Sequence, residues 1–304
     1  MVADVESLSA ASGLPSNMVL SARLGNHAGD SFVAGPEEKP VLAEMLLWAA
    51  TPCRLDHRRL GYLSAAISLW ARGNRCRRDW TQHEARAHAA ILAAAADLPR
   101  RRTCLVLGSG LLRDVPLAAL ASQFETVVLV DIVHLWPARL KALRFGNVRL
   151  VEADLTGTID LLLGRATGLA DPLARFMTDD SIDLVVSATC LSQLPLGPQA
   201  ILAKRRGGPR HAPADLARRI VERHLDGLCR LPGRACLITD TLVVTRDRSG
   251  AVLESEDLLE GVDLPRPDQS WEWTVAPFGE YARDEELVHR VNAYRDFGRL
   301  RRGG

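Results

Sequence analysis

The stretch from Thr103 to Asp131 constrains this 304-residue chain more than any other. It opens on the apolar run Thr103-Cys104-Leu105-Val106-Leu107 and breaks at Gly108-Ser109-Gly110. A helical pattern follows, and a second apolar run ends on Asp131. A strand that turns at paired glycines, crosses over through a helix and ends its successor on an acid is the opening unit of a doubly wound α/β sheet. The glycines let the backbone approach a ligand, and the acid is placed to hold two ribose hydroxyls. Short apolar runs recur at residues 104–107, 127–130, 148–151, 182–186 and 235–238, separated by helical or irregular segments. Such continuous Val, Ile and Leu runs suit strands covered on both faces, hence a mostly parallel sheet with helices on each side.

The flanks read differently. Residues 1–35 are rich in Ser, Gly, Ala and Asn and predict a flexible N-terminal segment. Pro36-Glu37-Glu38 predicts a helix start running through Ala50, because proline and acids suit a first turn. A second helix is expected from about His57 to Arg72, with Leu60, Leu63, Ile67 and Trp70 on one face and Gly73-Asn74 as its stop. A third is expected from Asp79 through Ala96, with Asp79 and Gln82 as N-cap and N3. Residues 36–100 thus read as a helical cap on a core of residues 101–304. Beyond Asp240, Thr241–Thr245 and Ala251–Glu254 flank an expected hairpin turn, and Trp271–Val275 and His289–Arg295 alternate as antiparallel strands do.

Composition narrows the function classes. The formal net charge is +1, so no global field draws the chain to nucleic acid or an anionic membrane. No apolar run is long enough for a bilayer, and the acidic start Met1-Val-Ala-Asp-Val-Glu6 is unlike a basic signal peptide. The six cysteines include no Cys-x-x-Cys pair and read as reduced thiols, so a cytoplasmic protein is expected. His83-Glu84 with His88 imitates a zinc motif. Its histidines are five apart, about 140° around a helix, and no metal site is expected. The basic loop Lys204–Arg210 reads as a solvated loop or as a lid for an anionic substrate. Nothing in the sequence fixes an oligomeric state.

A parallel sheet delivers all its strand ends to one edge, where ligands bind. Here that edge collects Gly108, Ser109 and Gly110, then Asp131 with Ile132, Asp154 with Leu155, Ser187-Ala188-Thr189-Cys190, and Thr239-Asp240. With these residues in that order the chain resembles the class I S-adenosylmethionine-dependent methyltransferases, over about Thr103 to Asp240 and on to Arg295 if the late strands close the sheet. The resemblance implies a seven-stranded Rossmann-like sheet and S-adenosylmethionine as cofactor. It implies that Gly108, Ser109 and Gly110 pack under the cofactor, and that Asp131 and Ile132 flank the ribose. Asp154 and Leu155 would then lie at the adenine, and Ser187 and Ala188 beneath the sulfonium. Thr189, Gln193 and Asp240 would face a small-molecule substrate, and no catalytic residue is named.

The chain departs from the family pattern at two places. Val106 stands where the loop often has an acid, and Leu112 where a third glycine often lies. The next helix is expected to start late, with Asp114 as N-cap, leaving Arg113 either to meet the methionine carboxylate or to be solvated. Two other readings share the glycines and Asp131. One is a nicotinamide-dependent oxidoreductase, which lacks its third glycine and the helix amides for a pyrophosphate. The other is a non-catalytic module with a degraded loop.

Overall fold

The computed structural model describes residues 42–204 and 214–303. The expected flexible segment 1–35, the Pro36 helix start and the basic loop beyond Lys204 lie outside the described residues. Strands β1 (Thr103–Leu107), β2 (Thr126–Asp131), β3 (Val148–Glu152), β4 (Ile182–Ala188) and β5 (Arg234–Asp247) run parallel in the order β3-β2-β1-β4-β5. Then β6 (Val252–Asp257), β7 (Gln269–Ala276) and β8 (Glu285–Tyr294) follow in the chain. Strand β8 pairs antiparallel with β5, and β7 with β8, completing the order β3-β2-β1-β4-β5-β8-β7. The fold is a doubly wound, mostly parallel Rossmann-like sheet with an N-terminal helical region.

The sheet has eight strands rather than seven, because β6 folds back on β5 as an extra antiparallel partner. The runs at 235–238 and 241–245 are one strand: β5 outgrows β4 and continues on β8. Every residue of β1 and β4 is buried, which is why both strands are mostly apolar. Strand β6 carries Glu254, Glu256 and Asp257 on the sheet's margin, where charge discourages further pairing.

Among the described residues four helices precede the sheet: α1 (Leu42–Ala50), α2 (Leu55–Arg59), α3 (Tyr62–Arg75) and α4 (Arg77–Ala95). The single helix expected over 57–72 is two, broken at Gly61, whose φ is +86°. Its expected stop is no stop, for α3 runs through Gly73 and Asn74 to Arg75. Gly73 answers a packing need instead, since a Cβ there would lie 3.0 Å from the Trp80 ring. Helix α4 starts at Arg77 rather than Asp79, and no side chain caps it. Later come α5 (Leu117–Gln123), α6 (Trp136–Ala142), α7 (Ile159–Leu162), α8 (Leu196–Lys204), α9 (Leu216–Arg230) and α10 (Phe297–Gly303).

The helical region does not simply rest on the sheet. Trp80, Ala87, Ala90, Ile91 and Ala94 recur at helical spacing along α4 and share one core with Leu184, Ile238, Trp271, Trp273 and Val291. A separate cluster joins Leu63 and Ile67 of α3 to Val133 and Leu135, just beyond β2. The opposite face of the sheet is covered by α9 and α10 through Val221, Leu225, Leu228 and Phe297. Among the described residues no helix is long and apolar enough to cross a membrane.

Candidate functional site

The two glycines of the first turn answer different demands. Gly108 has φ +70°, and a Cβ on it would lie 2.2 Å from the Cys190 Cβ behind the turn. Gly110 has φ +48°, and a Cβ there would meet nothing nearer than the Gly108 carbonyl at 3.8 Å. One glycine is fixed by the core; the other borders open space. The amides of Gly108 and Ser109 donate to the Val130 carbonyl at 2.9 and 3.2 Å. The Gly110 amide donates to Asp131 Oδ2 at 2.6 Å, and the Ile132 amide to Asp131 Oδ1 at 2.7 Å. Asp131 therefore ties the end of β2 to the glycine turn. Burial pushes its pKa up, opposed by nearby His134 and by the amides of Gly110, Ile132 and Val133. Ser109 Oγ is buried with no partner.

The loop after Gly110 corrects two expectations. Helix α5 starts at Leu117 with Pro116 before it, so Asp114 caps nothing. Its carboxylate accepts instead from Thr189 Oγ1 at 2.6 Å and faces His83 Nε2 at 3.4 Å. Burial alone would raise the Asp114 carboxyl, but the bonds from His83 and Thr189 hold it below the usual range. Arg113 is neither solvated nor aimed at a ligand: its guanidinium grips Glu84 of α4 at 2.6 Å, and its carbonyl meets His88 Nε2 at 2.7 Å. The turn is thus bolted to α4. Two positions here, Leu112 at φ +55° and Thr189 at φ +48°, hold a left-handed backbone without being glycine. Such strain gathers where surrounding contacts enforce it.

The adenine-side candidates are engaged locally. Asp154 Oδ1 accepts from the Thr156 amide at 2.8 Å, and Oδ2 from the Ile159 amide at 2.9 Å, closing the turn into α7. Leu155 is buried in the core with Leu107 and Val130. Ile132 packs against α3, and its carbonyl receives His57 Nδ1 of α2 at 2.9 Å. Tyr62, at the start of α3, buries its hydroxyl beside Thr156 and Thr158. Burial, with Asp154 nearby, raises that phenol's pKa.

Ser187 and Ala188 part company. Ala188 lies on the α4 side of the sheet, in the core with Ile238. The Ser187 hydroxyl points the other way, to His224 Nε2 of α9 at 2.9 Å, and is fully buried. Its side chain therefore does not lie under a ligand. Burial depresses His224 to a pKa of about 4. Unfolding restores the ordinary value of about 6.5, so the unfolded chain binds the extra proton as pH falls. Stability from a neutral His224 is complete above that value and is lost as pH drops toward 4. Urea midpoints should show a loss of about 1 kcal/mol between pH 7 and 5.5. That loss should be absent from His224→Gln; an unchanged slope in the variant would refute it.

The substrate-side candidates converge better. Asp240 is 1 % exposed at the β5 edge, where a bulge shifts the register to β8 between Asp240 and Leu242. Its Oδ2 meets His289 Nδ1 at 3.0 Å and the Ser192 hydroxyl at 3.4 Å. Gln193 Nε2 donates to the Thr189 carbonyl at 2.8 Å, so it braces the loop after β4. Around them stands an aromatic wall that the sequence did not reveal. His83 stacks on Trp273 with centroids 3.9 Å apart, Trp271 Nε1 donates to His83 Nδ1 at 3.1 Å, and Trp273 meets His289 edge-on at 5.7 Å. These residues come from α4, β7 and β8, far apart in the chain. Alternation on β7 and β8 was the only signal.

Among the described residues no group of three His, Cys, Asp or Glu side chains is placed to hold a metal ion. His83 and His88 diverge, one to Asp114 and one to the Arg113 carbonyl. Cys190, behind the glycine turn, is pushed up to about 12 by burial and is no nucleophile at neutral pH.

No family model matches the chain, and no curated protein sequence does. Among solved structures it is similar to the 1,6-didemethyltoxoflavin-N1-methyltransferase of Burkholderia thailandensis, solved with 1,6-didemethyltoxoflavin and S-adenosylhomocysteine. That alignment has 17 % identity and a TM-score of 0.35 over 80 % of this chain and 92 % of the other. The N-methyltransferase NodS of Bradyrhizobium japonicum, solved with S-adenosylhomocysteine, aligns at 13 % identity and TM-score 0.34 over 67 % and 84 %. An rRNA methylase of Streptococcus thermophilus aligns at 14 % identity and TM-score 0.31 over 68 % and 95 %. These likenesses are loose, and the functional reading rests on the chain's own sheet and strand-end residues.

Proposed function

We propose that the protein is an S-adenosylmethionine-dependent methyltransferase acting on a small-molecule acceptor. The observation that carries the reading is the Asp131 carboxylate at the end of β2, bonded to the Gly110 amide where the turn opens onto free space. The residues present fit the cofactor. Asp131 lies at the end of β2 against the glycine turn, Gly110 leaves room for a close approach, and Ser109 Oγ is a buried polar atom without a partner. Asp154 would orient the wall at the adenine rather than offer a free oxygen. The cofactor, when bound, supplies a methyl group on a sulfonium; the protein's part is alignment and the exclusion of water.

The antiparallel β8 and the late start of α5 at Leu117 disfavour a nicotinamide dinucleotide, whose pyrophosphate needs helix amides directly behind the glycines. The near-neutral charge and the enclosed cluster at Asp240 favour a small acceptor over nucleic acid. Calorimetric titration with S-adenosylhomocysteine, NADH and NADPH tests the reading. Micromolar binding of S-adenosylhomocysteine alone is the expected result. Binding of a nicotinamide alone overturns it in favour of an oxidoreductase, and binding of none favours the non-catalytic module.

A further inference from the structure

We propose that His289 is the proton acceptor of the reaction, that Asp240 positions it, and that the methyl acceptor is a neutral small molecule carrying a hydroxyl beside a second oxygen. The inference rests on the methyltransferase reading for its chemistry, but its geometry is independent of it.

Three buried polar atoms around the β5 edge have no hydrogen-bond partner: Asp240 Oδ1, His289 Nε2 and Trp273 Nε1. Buried polar groups are almost always satisfied, and a buried carboxylate oxygen left bare costs more than a neutral one. One orphan would be ordinary; several on one aromatic wall at the ligand edge of the sheet point to a polar guest. The pairing pattern also says what kind of guest. A carboxylate only accepts, so the His289 nitrogen 3.0 Å from Asp240 Oδ2 carries the hydrogen, which leaves Nε2 with a bare lone pair. By the same rule His83 Nδ1, which accepts from Trp271, leaves Nε2 as a donor, and that donor faces Asp114. The cluster thus offers one basic nitrogen at His289, one donor at Trp273 and one acceptor at Asp240. A hydroxyl flanked by a second oxygen answers all three.

The placement is built rather than incidental. Two bulges, one after Asp240 in β5 and one after Thr274 in β7, bracket the rung that pairs Trp273 with His289. In the step, the acceptor hydroxyl gives its proton to His289 Nε2 while its oxygen forms the bond to the methyl carbon. The carbon–sulfur bond breaks with its electron pair left on sulfur, which becomes a neutral thioether. The imidazolium, stabilised by Asp240, then returns its proton to water.

Two measurements on the full chain test this. The first needs no activity. In ¹⁵N-histidine-labelled protein, with His289→Asn assigning the resonance, neutral His289 should be protonated at Nδ1 and bare at Nε2. Asp240→Asn should weaken that preference. A proton on Nε2 in the wild type overturns the proposal. The second follows labelled methyl transfer to catechol, with benzylamine and thiophenol as comparators and S-adenosylhomocysteine titrated into the same samples. His289→Gln should bind S-adenosylhomocysteine within about twofold of the wild type and lose kcat on catechol by about a hundredfold or more at similar KM. Undiminished kcat in His289→Gln overturns the role of His289. A wild type that binds S-adenosylhomocysteine but methylates only the amine or thiol, or none of the probes, overturns the acceptor class. Failure to bind S-adenosylhomocysteine at all falls on the methyltransferase reading, and the tautomer measurement still judges the dyad.

Discussion

Gly108→Ala is expected to destabilise the fold by about 3–4 kcal/mol, a large share of an ordinary domain's stability. Two costs add. The residue sits at φ +70°, where an L side chain costs about 1–2 kcal/mol. The new methyl would also lie 2.2 Å from the Cys190 Cβ, far inside contact distance, in a core where overpacking costs about 1–3 kcal/mol. Urea denaturation followed by circular dichroism measures the sum. The two costs separate in a double variant: Cys190→Gly removes the atom behind the turn, so Gly108→Ala in that background should cost only the backbone share. Equal losses in both backgrounds would mean that Cys190 does not dictate the glycine. Gly110→Ala should be milder for the fold, since its Cβ would meet nothing nearer than the Gly108 carbonyl at 3.8 Å, and harsher for ligand binding.

Asp131→Ala should weaken S-adenosylhomocysteine binding by about 1.5–3 kcal/mol, roughly ten- to 150-fold in Kd. The carboxylate does two things at once. It accepts the Gly110 and Ile132 amides at 2.6 and 2.7 Å, holding the turn shut against the end of β2. On the ribose assignment the same carboxylate would also meet the ribose hydroxyls. Asp131→Asn separates the roles: an asparagine oxygen still takes one amide, but its NH₂ opposes the other. Calorimetry on both variants, beside their urea midpoints, decides. Unchanged affinity in Asp131→Ala would end the ribose assignment whatever happens to stability.

How much of this was legible depended on whether a residue's partner was near it in sequence. The strands were readable because β1 and β4 are buried on both faces and so are mostly apolar. The glycine turn and Asp131 were readable because 21 residues separate donor from acceptor within one βαβ unit. Asp114 was misread as a cap because a carboxylate before a proline usually is one; here Thr189 and His83 compete for it from 75 and 31 residues away. Gly73 was misread as a stop because its need is the Trp80 ring and not its own backbone. His289 and Trp273 were invisible for the same reason. Their meaning lies in a rung between β7 and β8 and in an acid on β5, and alternation alone does not distinguish a catalytic histidine from a packed one.

The bolting of the glycine turn to α4 has a consequence for anyone re-engineering this protein. Because Glu84 holds Arg113 and His83 faces Asp114, the helices that would choose a substrate are not an interchangeable module. Trp80 and the alanines of α4 also complete the core over Trp271 and Trp273. Transplanting a different helical segment onto residues 101–304 would import the donor's selectivity only if Arg113, Asp114 and the two tryptophans travelled with it. In this architecture the N-terminal helices and the glycine turn are held as one packed unit.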